Sequence, residues 1–158
     1  AEIASKMKLD CTTITTDYQK KSIIAVYVED STSVPVVLTI SFPKVYPFKR
    51  IDVSCEFGDE GENCAYKVFA AIDGHQSIEA GIIAWYQFVT YRLREVEPCT
   101  ICYSYLSEDM KKPTIACPTC GQKFHGKCLQ KWFTQCLKPT CPYCGVAWDE
   151  KKRDKSKK

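Results

Sequence analysis

The sequence predicts an α+β protein in which an antiparallel sheet packed by helices precedes a small cysteine-rich domain. Three observations support this fold class. The first half contains four short β-branched stretches separated by turn residues, and two helical patterns follow them. Seven of the 11 cysteines, together with one histidine, then stand in pairs with metal-ligand spacing. The 158 residues are enough for two such compact units.

The sheet is predicted from strands at 11–16, 22–28, 34–42 and 51–57. Their order along the chain favours an antiparallel meander. Asp30 and Ser31 supply turn chemistry between the second and third strands. Pro43, and Pro47 after Tyr46, predict an irregular corner before the fourth strand because proline cannot donate to a ladder.

Two helices should follow the sheet. Residues 61–71 have the pattern of a short helix, which we expect Gly74 to interrupt. Ser77 is the expected N-cap of a longer helix. The apolar residues of that helix recur at intervals of four, three and four, which predicts one buried face: Ile78, Ile82, Trp85 and Val89.

The helical pattern ends at residues 95–98, which contain no Gly or Ser, so we expect a stiff junction to the next unit. The longest stretch without a charged residue is the 13 residues of 31–43, shorter than the ~18 that a membrane span needs. We therefore expect no membrane association. The first ten residues lack an apolar core, so we also expect no secretory signal. We expect the sequence to be an excised fragment of a longer chain.

The cysteine-rich half has the ligand pattern of two zinc ions. Three C-x2-C pairs and one H-x2-C pair are separated by 14, four and 12 residues. Eight ligands in two closed tetrahedral sets leave no open coordination position, so we expect structural zinc. The eight candidate ligands are Cys99, Cys102, Cys117, Cys120, His125, Cys128, Cys141 and Cys144.

Metal binding changes how the charge of the chain is interpreted. Residues 1–97 carry 10 Lys and Arg against 14 Asp and Glu, whereas residues 98–158 carry 12 against five. Two zinc ions on seven thiolates and one neutral histidine would bring the net charge near zero. The basic pI is therefore weak support for nucleic-acid binding. The paired spacing and the odd cysteine total favour a reducing compartment over disulfides.

The remaining cysteines and the other histidine have simpler explanations. Cys136 shares a helical stripe with Leu129, Trp132 and Phe133, so we interpret it as a packed thiol, although it is the main rival ligand. The same interpretation applies to Cys11, Cys55 and Cys64. His75 is a lone histidine near a glycine, and an ordinary surface or capping role is expected for it.

The ligand order of four Cys, one His and three Cys is found in both RING and PHD zinc fingers, in which the first and third pairs bind one ion and the second and fourth pairs bind the other. A PHD finger usually carries Trp two residues before the seventh ligand, where this chain has Pro139. Three features resemble RING fingers instead: Ile101 inside the first pair, Trp132 four residues after the sixth ligand, and Pro142 inside the last pair.

The chain as a whole resembles the listerin family of E3 ubiquitin ligases, in which an RWD domain directly precedes a variant RING. The strongest matches are CTICYS, CPTCGQKFHGKCLQKWF and CPYC, within residues 99–144. Earlier segments that look like the listerin RWD are SIEAGIIAWYQFV and FPKVYPFKRIDVSC. The resemblance implies an RWD-like docking domain at 1–97 and a cross-brace RING at 98–148. The biased composition of residues 149–158, with six basic and three acidic residues, predicts a basic disordered tail.

The resemblance also implies a function. Ile101, Trp132 and Pro142 should form the platform for a ubiquitin-loaded E2, and Cys99, Cys102, His125 and Cys128 should hold the first zinc ion, with the second four-cysteine set holding the other. The substrates would be nascent chains stalled on the large (60S) ribosomal subunit in the cytosol. Other partners would be ribosome-quality-control cofactors and, through the tail, ribosomal RNA. The first domain would dock without chemistry, because it lacks the catalytic motif of the related E2 enzymes.

Two other classes of function stay open at this point: a PHD-like reader of histone peptides and a nucleic-acid-binding zinc module. A covalent ligase that uses Cys136 is a third. The chain also departs from many RING fingers, because Gly145 follows the last ligand where a basic residue often contacts E2 and ubiquitin. We expect either modest activation of the E2 or a different donor.

Overall fold

The computed structural model describes residues 9–29, 34–136 and 138–148. The chain divides into two compact units, 1–95 and 96–158. The predicted turn residues at 30–33 and the predicted tail at 149–158 lie outside the described residues. Among the described helices, none is both long and apolar enough to cross a membrane.

The first unit is built on a four-stranded sheet whose spatial order is the order of the chain. Each neighbouring pair of strands is antiparallel, so the predicted meander is confirmed. In the centre of the sheet, Ala25 stands opposite Ile14 on one side and Leu38 on the other. The strands are β1 (Thr12–Asp17), β2 (Ser22–Tyr27), β3 (Val36–Ser41) and β4 (Asp52–Glu56).

Alternate side chains of the two central strands are buried, as expected when one face of a sheet is covered and the other faces water. The buried set is Ile23, Ala25, Tyr27, Val36, Leu38 and Ile40. The irregular corner predicted before β4 is present as turns at 44–48, and the Tyr46–Pro47 peptide bond within it is cis. The α+β fold class is confirmed.

A short 3₁₀ turn, Gly58–Glu60, leads into helix α1, Gly61–His75. The predicted interruption at Gly74 is wrong, because α1 continues through this residue. An exposed glycine costs a helix only about 1 kcal/mol, which does not break it. The helix ends instead at Gln76, whose φ of 50° is left-handed, and whose amide bonds to the carbonyl of Ile72.

Helix α2, Ile78–Leu93, begins where the sequence predicted. The Ser77 hydroxyl accepts a hydrogen bond from the amide of Ala80 at 3.4 Å, so Ser77 is the N-cap. The apolar face is confirmed, since Ile82, Trp85 and Val89 are all 0% exposed. Helix α1 packs against both α2 and β4, and the core of the first unit lies between these helices and the sheet.

The second unit contains little regular structure. Strands β5 (Ile115–Ala116) and β6 (Lys123–Phe124) form a two-stranded antiparallel ladder, and helix α3 spans Gly126–Gln135. Within the described residues, the buried cluster of this unit contains three large apolar side chains and three cysteines: Phe124, Leu129, Trp148, Cys99, Cys117 and Cys141. So small a core needs additional stabilisation.

Candidate metal centre

Cys99, Cys102, His125 and Cys128 form the first group of possible metal ligands, with all four donor atoms within 4.8 Å of one another. The Nδ1 atom of His125 lies 3.4 Å from the Sγ of Cys102 and 3.8 Å from the Sγ of Cys128. His125 is the N-cap residue of α3, and Cys128 lies in the first turn of that helix. The fold therefore brings the first and third ligand pairs together.

The second group contains Cys117, Cys120, Cys141 and Cys144, again with all donor atoms within 4.8 Å of one another. The Sγ atoms of Cys117 and Cys144 are 4.0 Å apart, and those of Cys120 and Cys141 are 3.8 Å apart. The first pair lies in the loop between β5 and β6, and the second follows α3. The two groups interleave along the chain, which is the cross-brace order that the RING resemblance implied.

The three C-x2-C pairs share one kind of turn. In each, the amide of the residue after the second cysteine donates to the carbonyl of the first cysteine: 2.6 Å for Tyr103, 2.9 Å for Gly121 and 2.9 Å for Gly145. These residues have left-handed φ angles of 58°, 76° and 71°. A left-handed residue there reverses the chain immediately after the pair. The local backbone thus presents both cysteines of a pair to the same ion.

This turn gives a physical reason for the glycine after the last ligand. The left-handed conformation of Gly145 is one that side chains adopt only at a steric cost. Tyr103 occupies the equivalent position after the first pair with a side chain, so the turn does not require glycine absolutely. At Gly145 the chain therefore has the less strained residue and lacks the basic donor found in many RING fingers.

The two groups fit zinc by their donor chemistry and by their spacing. A tetrahedral ion with Zn–S bonds of about 2.3 Å holds its ligand atoms about 3.6–3.8 Å apart. The sulfur–sulfur and sulfur–nitrogen distances above, 3.4–4.0 Å, lie within about 0.2 Å of this range. Burial lowers the pKa of His125, which favours the neutral imidazole that a metal binds. Burial raises the pKa of Cys128 and of Cys141 to about 12, so zinc binding must release protons from these thiols.

Each group offers four ligands, which is a complete tetrahedral set. The two groups are thus positioned to bind two zinc ions, and both sites have the character of structural rather than catalytic zinc. Among the residues that the structure describes, these two are the only groups of three or more His, Cys, Asp and Glu side chains arranged to hold a metal ion.

Comparisons with known proteins agree with this geometry. Residues 97–145 match the Ring finger domain family. The E3 ubiquitin-protein ligase listerin of Drosophila melanogaster is 32% identical over 137 residues, which are 83% of this chain, and that of Mus musculus is 35% identical over 136 residues, or 78%. Listerin of Saccharomyces cerevisiae is 55% identical over 49 residues, 30% of this chain. This chain contains a listerin-type RING region.

The chain spans a small part of these listerins: 8% of the Drosophila protein, 7% of the mouse protein and 3% of the yeast protein. The activity in their names, that of an E3 ubiquitin-protein ligase, is the activity of those longer proteins.

In the listerin-type RING region some metal ligands are part of the apolar core, because Cys99, Cys117 and Cys141 are buried within its apolar cluster. Trp148 also belongs to this cluster, although it was not predicted from the sequence. Its ring lies edge-on to Phe124 and Phe133, with centroids 6.1 Å and 5.3 Å away. The signal that could have identified it was its position as the last apolar residue before the charged tail.

The three residues expected to contact E2 are all half-buried in the listerin-type region. Ile101, inside the first cysteine pair, packs on one side against the apolar cluster. The indole nitrogen of Trp132 donates to the carbonyl of Thr140 at 2.9 Å, which ties α3 to the segment that leads into Pro142. Each residue therefore keeps part of its surface available to a partner.

Two tyrosines next to these positions are exposed, and neither was predicted from the sequence. Tyr103 follows the first cysteine pair and is 69% exposed, and Tyr143 lies between Pro142 and Cys144 and is 64% exposed. Single exposed tyrosines are ordinary on a protein surface, so these two by themselves assign no interaction face.

The remaining cysteines and histidine lie outside both ligand groups. Cys136 ends α3 with an extended backbone and is half-buried, and it belongs to neither group. His75 is exposed at the end of α1. Cys11 is exposed, whereas Cys55 and Cys64 lie in contact with each other inside the first unit.

Proposed function

We propose that this chain is the ligase end of a RING-type E3 ubiquitin ligase, which holds a ubiquitin-loaded E2 so that a substrate lysine can attack the thioester. The observation that carries the proposal is the pair of interleaved four-donor groups inside a listerin-type RING region. Such an arrangement gives a small domain a rigid surface, and rigidity is what a positioning enzyme requires.

The proposed chemistry needs no covalent intermediate on this chain. The substrate amine forms an amide bond with the carboxyl carbon of ubiquitin, the thioester bond breaks, and the E2 cysteine leaves as the thiol. The rate enhancement comes from holding the E2 and its ubiquitin in the reactive geometry. No cysteine of this chain acts as a nucleophile in ubiquitin transfer, so Cys136 is dispensable for that reaction.

The proposed E2 platform is formed by Ile101, Trp132 and Pro142. Each is half-buried, so each has packing support below and apolar surface above. The Trp132–Thr140 hydrogen bond holds the indole in place, which lowers the entropy lost when a partner binds. Tryptophan is enriched among the few residues that dominate binding energy at protein interfaces.

The substrates and location are also proposals, and they rest on the listerin resemblance. We propose that the ligase acts in the cytosol on nascent chains stalled on the large ribosomal subunit, together with ribosome-quality-control cofactors. In this proposal residues 1–97 are an RWD-like docking domain and residues 98–148 are the RING. A contact between the basic tail and ribosomal RNA would add affinity through phosphate neutralisation.

The decisive experiment measures discharge of ubiquitin from an E2 thioester to free lysine. We expect the zinc-loaded chain to accelerate discharge. The Ile101→Ala variant should accelerate it at least about tenfold less, because a platform side chain is removed. Cys136→Ser is the matched control and should retain full activity. Zinc content and the melting temperature of each variant are measured in parallel, so that a folding defect is recognised.

Three results would contradict the ligase proposal. One is binding of histone peptides with no discharge by any E2 tested, which would indicate a PHD-like reader. Another is nucleic-acid binding that falls steeply with salt in the absence of discharge. The third is loss of discharge in Cys136→Ser with both zinc ions retained, which would indicate a covalent ligase.

A further inference from the structure

Two cysteines of the first unit, far in sequence from the zinc ligands, lie in direct contact. The Sγ atoms of Cys55 and Cys64 are 3.1 Å apart. Cys55 lies in β4, Cys64 lies in the first turns of α1, and the 3₁₀ turn at 58–60 connects the two elements. The local fold therefore brings two thiols together, and neither belongs to a group of possible metal ligands among the described residues.

Glycine makes this approach possible. A Cβ atom at Gly61 would lie 2.4 Å from the carbonyl oxygen of Cys55, so only glycine lets the start of α1 come this close to β4. Because the backbones of β4 and the start of α1 lie this close, the Cys55 and Cys64 side chains stay together in the folded state. Their contact is thus built into the packing of the unit.

The two thiols differ in exposure and in proton affinity. Cys64 is 0% exposed, whereas Cys55 is half-buried. Contact with the Cys64 thiol lowers the pKa of Cys55, burial opposes this effect, and the Trp85 indole lowers the pKa further. The same contact, followed by burial, raises the pKa of Cys64.

Trp85 lies in the core of the same unit. Its side chain is completely buried, and within the described part of the chain its indole N–H has no hydrogen-bond partner. The indole acts on the pKa of Cys55 in the same direction as Cys64 does. A lowered pKa favours the thiolate, which is the nucleophilic form of cysteine.

We propose that Cys55 and Cys64 are a redox-active dithiol that a peroxide converts into an intramolecular disulfide. The Cys55 thiolate attacks the peroxide, a sulfur–oxygen bond forms, the oxygen–oxygen bond breaks, and the leaving oxygen takes up a proton. With hydrogen peroxide the products of this step are a Cys55 sulfenic acid and one water molecule.

Cys64 then attacks the sulfenic sulfur. The sulfur–sulfur bond forms, the sulfur–oxygen bond breaks, and the hydroxyl leaves as a second water molecule with the Cys64 proton. Overall, two thiols lose two electrons and two protons, and one peroxide is reduced to two water molecules. Cys55 is the reacting residue and Cys64 is the resolving residue, as their difference in exposure requires.

The disulfide would connect β4 covalently to α1 and close a short loop. Cross-linking reduces the conformational freedom of the unfolded chain, so the oxidised first unit should melt several degrees higher than the reduced unit. A thiol reductant should reverse the shift. The modification is independent of the ligase proposal, because neither cysteine belongs to the RING.

The test treats the zinc-loaded full chain with one equivalent of hydrogen peroxide and maps the cysteines by mass spectrometry. Trypsin releases both cysteines in one peptide, residues 51–67, because no Lys or Arg lies between Arg50 and Lys67. We expect this peptide to lose the mass of two hydrogen atoms. A second cut by a glutamate-specific protease after Glu56 should leave the fragments linked until a reductant is added.

Cys55→Ser and Cys136→Ser are the matched variants. The Cys136→Ser chain should form the disulfide normally, whereas the Cys55→Ser chain should form none and should show no shift in melting temperature on oxidation. Because Cys64 is fully buried and its replacement can impair folding, the parent protein's own peptide map decides the outcome.

Either of two results would overturn the proposal. One is a parent peptide 51–67 that keeps its full mass while the zinc ligands are oxidised and zinc is released. The other is a Cys55 sulfenic acid, trapped by dimedone in the parent protein, that Cys64 does not resolve.

Discussion

The same backbone conformation follows each of the three cysteine pairs in the second unit, at Tyr103, Gly121 and Gly145. Each follows a cysteine pair, adopts a left-handed conformation and donates its amide to the first cysteine of the pair. The repetition shows that the geometry of each zinc turn is set by backbone hydrogen bonds rather than by particular side chains. It also explains how pairs with different intervening residues can present equivalent sulfurs.

The assignment of zinc ligands leads to a prediction at single residues. Replacing Cys141 by Ser removes a thiolate that is 2% exposed and should reduce the bound zinc from two ions to one or none. E2 discharge should be lost together with the ion. Metal content measured by mass spectrometry on purified protein checks the result.

Cys136→Ser is the control for this prediction, because Cys136 is also a cysteine of the second unit but lies outside both donor groups. It should retain both ions. A Cys136→Ser variant that loses as much zinc as Cys141→Ser would show that the ligand assignment is wrong.

Among the elements, the packing of α1 against α2 depends on a close approach at one glycine. A Cβ atom at Gly81 would lie 2.4 Å from Cγ1 and 2.7 Å from Cδ1 of Ile72, and 3.3 Å from Cγ1 of Val68. Both neighbours are β-branched and therefore have few alternative rotamers. Gly74 lies in the same helix pair but differs, since a Cβ atom added there would meet nothing within 4 Å.

Replacing each of these two glycines by alanine should change the free energy of unfolding in opposite directions. Gly81→Ala should lower the free energy of unfolding by about 1–3 kcal/mol through overpacking. Gly74→Ala should raise it by about 0.5–1 kcal/mol, because alanine has the higher helix propensity and meets no clash. Calorimetry of the first unit's transition measures both values. Stabilisation by Gly81→Ala would contradict the close packing of the helices.

At the scale of the whole molecule, the two compact units depend on different sources of stability. The first unit has a sheet and two helices around a continuous core that includes Leu38, Ile40 and Trp85. The described part of the second unit has two short strands, one helix and an apolar core that shares its space with the zinc ligands. A structural zinc site contributes about 10–16 kcal/mol of coupled folding free energy, more than a core of this size can supply.

Zinc removal should therefore unfold one unit selectively. A strong chelator should abolish the calorimetric transition of residues 96–158 and leave that of residues 1–95 in place. The same chelator saturated with zinc beforehand is the control. Persistence of both transitions after complete metal removal would show that zinc does not hold the second unit together.

The junction allows a second prediction at this scale, which rests on the proposed ribosomal role. Lengthening residues 95–98 with Gly and Ser should impair ubiquitination coupled to the ribosome, because a flexible linker no longer aims the RING at the substrate. Discharge of E2 to free lysine should be spared. An equal insertion after Lys158 is the control, and equal loss or equal retention of both activities would refute the prediction.

Periodic and local features were predictable from the sequence. The zinc ligands could be assigned because a C-x2-C turn is a local structure and four ligand pairs follow in order. The meander and the buried face of α2 could be assigned because alternation and helical spacing directly reflect which side chains are buried. Ser77 could be identified as an N-cap for the same reason, since capping involves only the adjacent turn.

Features that depend on residues distant in the chain could not be predicted in this way. Gly74 has the residue type of a helix breaker, yet α1 continues through it because the packing of a whole helix outweighs one weak local preference. The role of Trp148 depends on two aromatic rings elsewhere in the chain, and the contact of Cys55 with Cys64 depends on how closely α1 approaches β4. Local chemistry can be inferred from adjacent residues, whereas these contacts exist only after the elements have packed together.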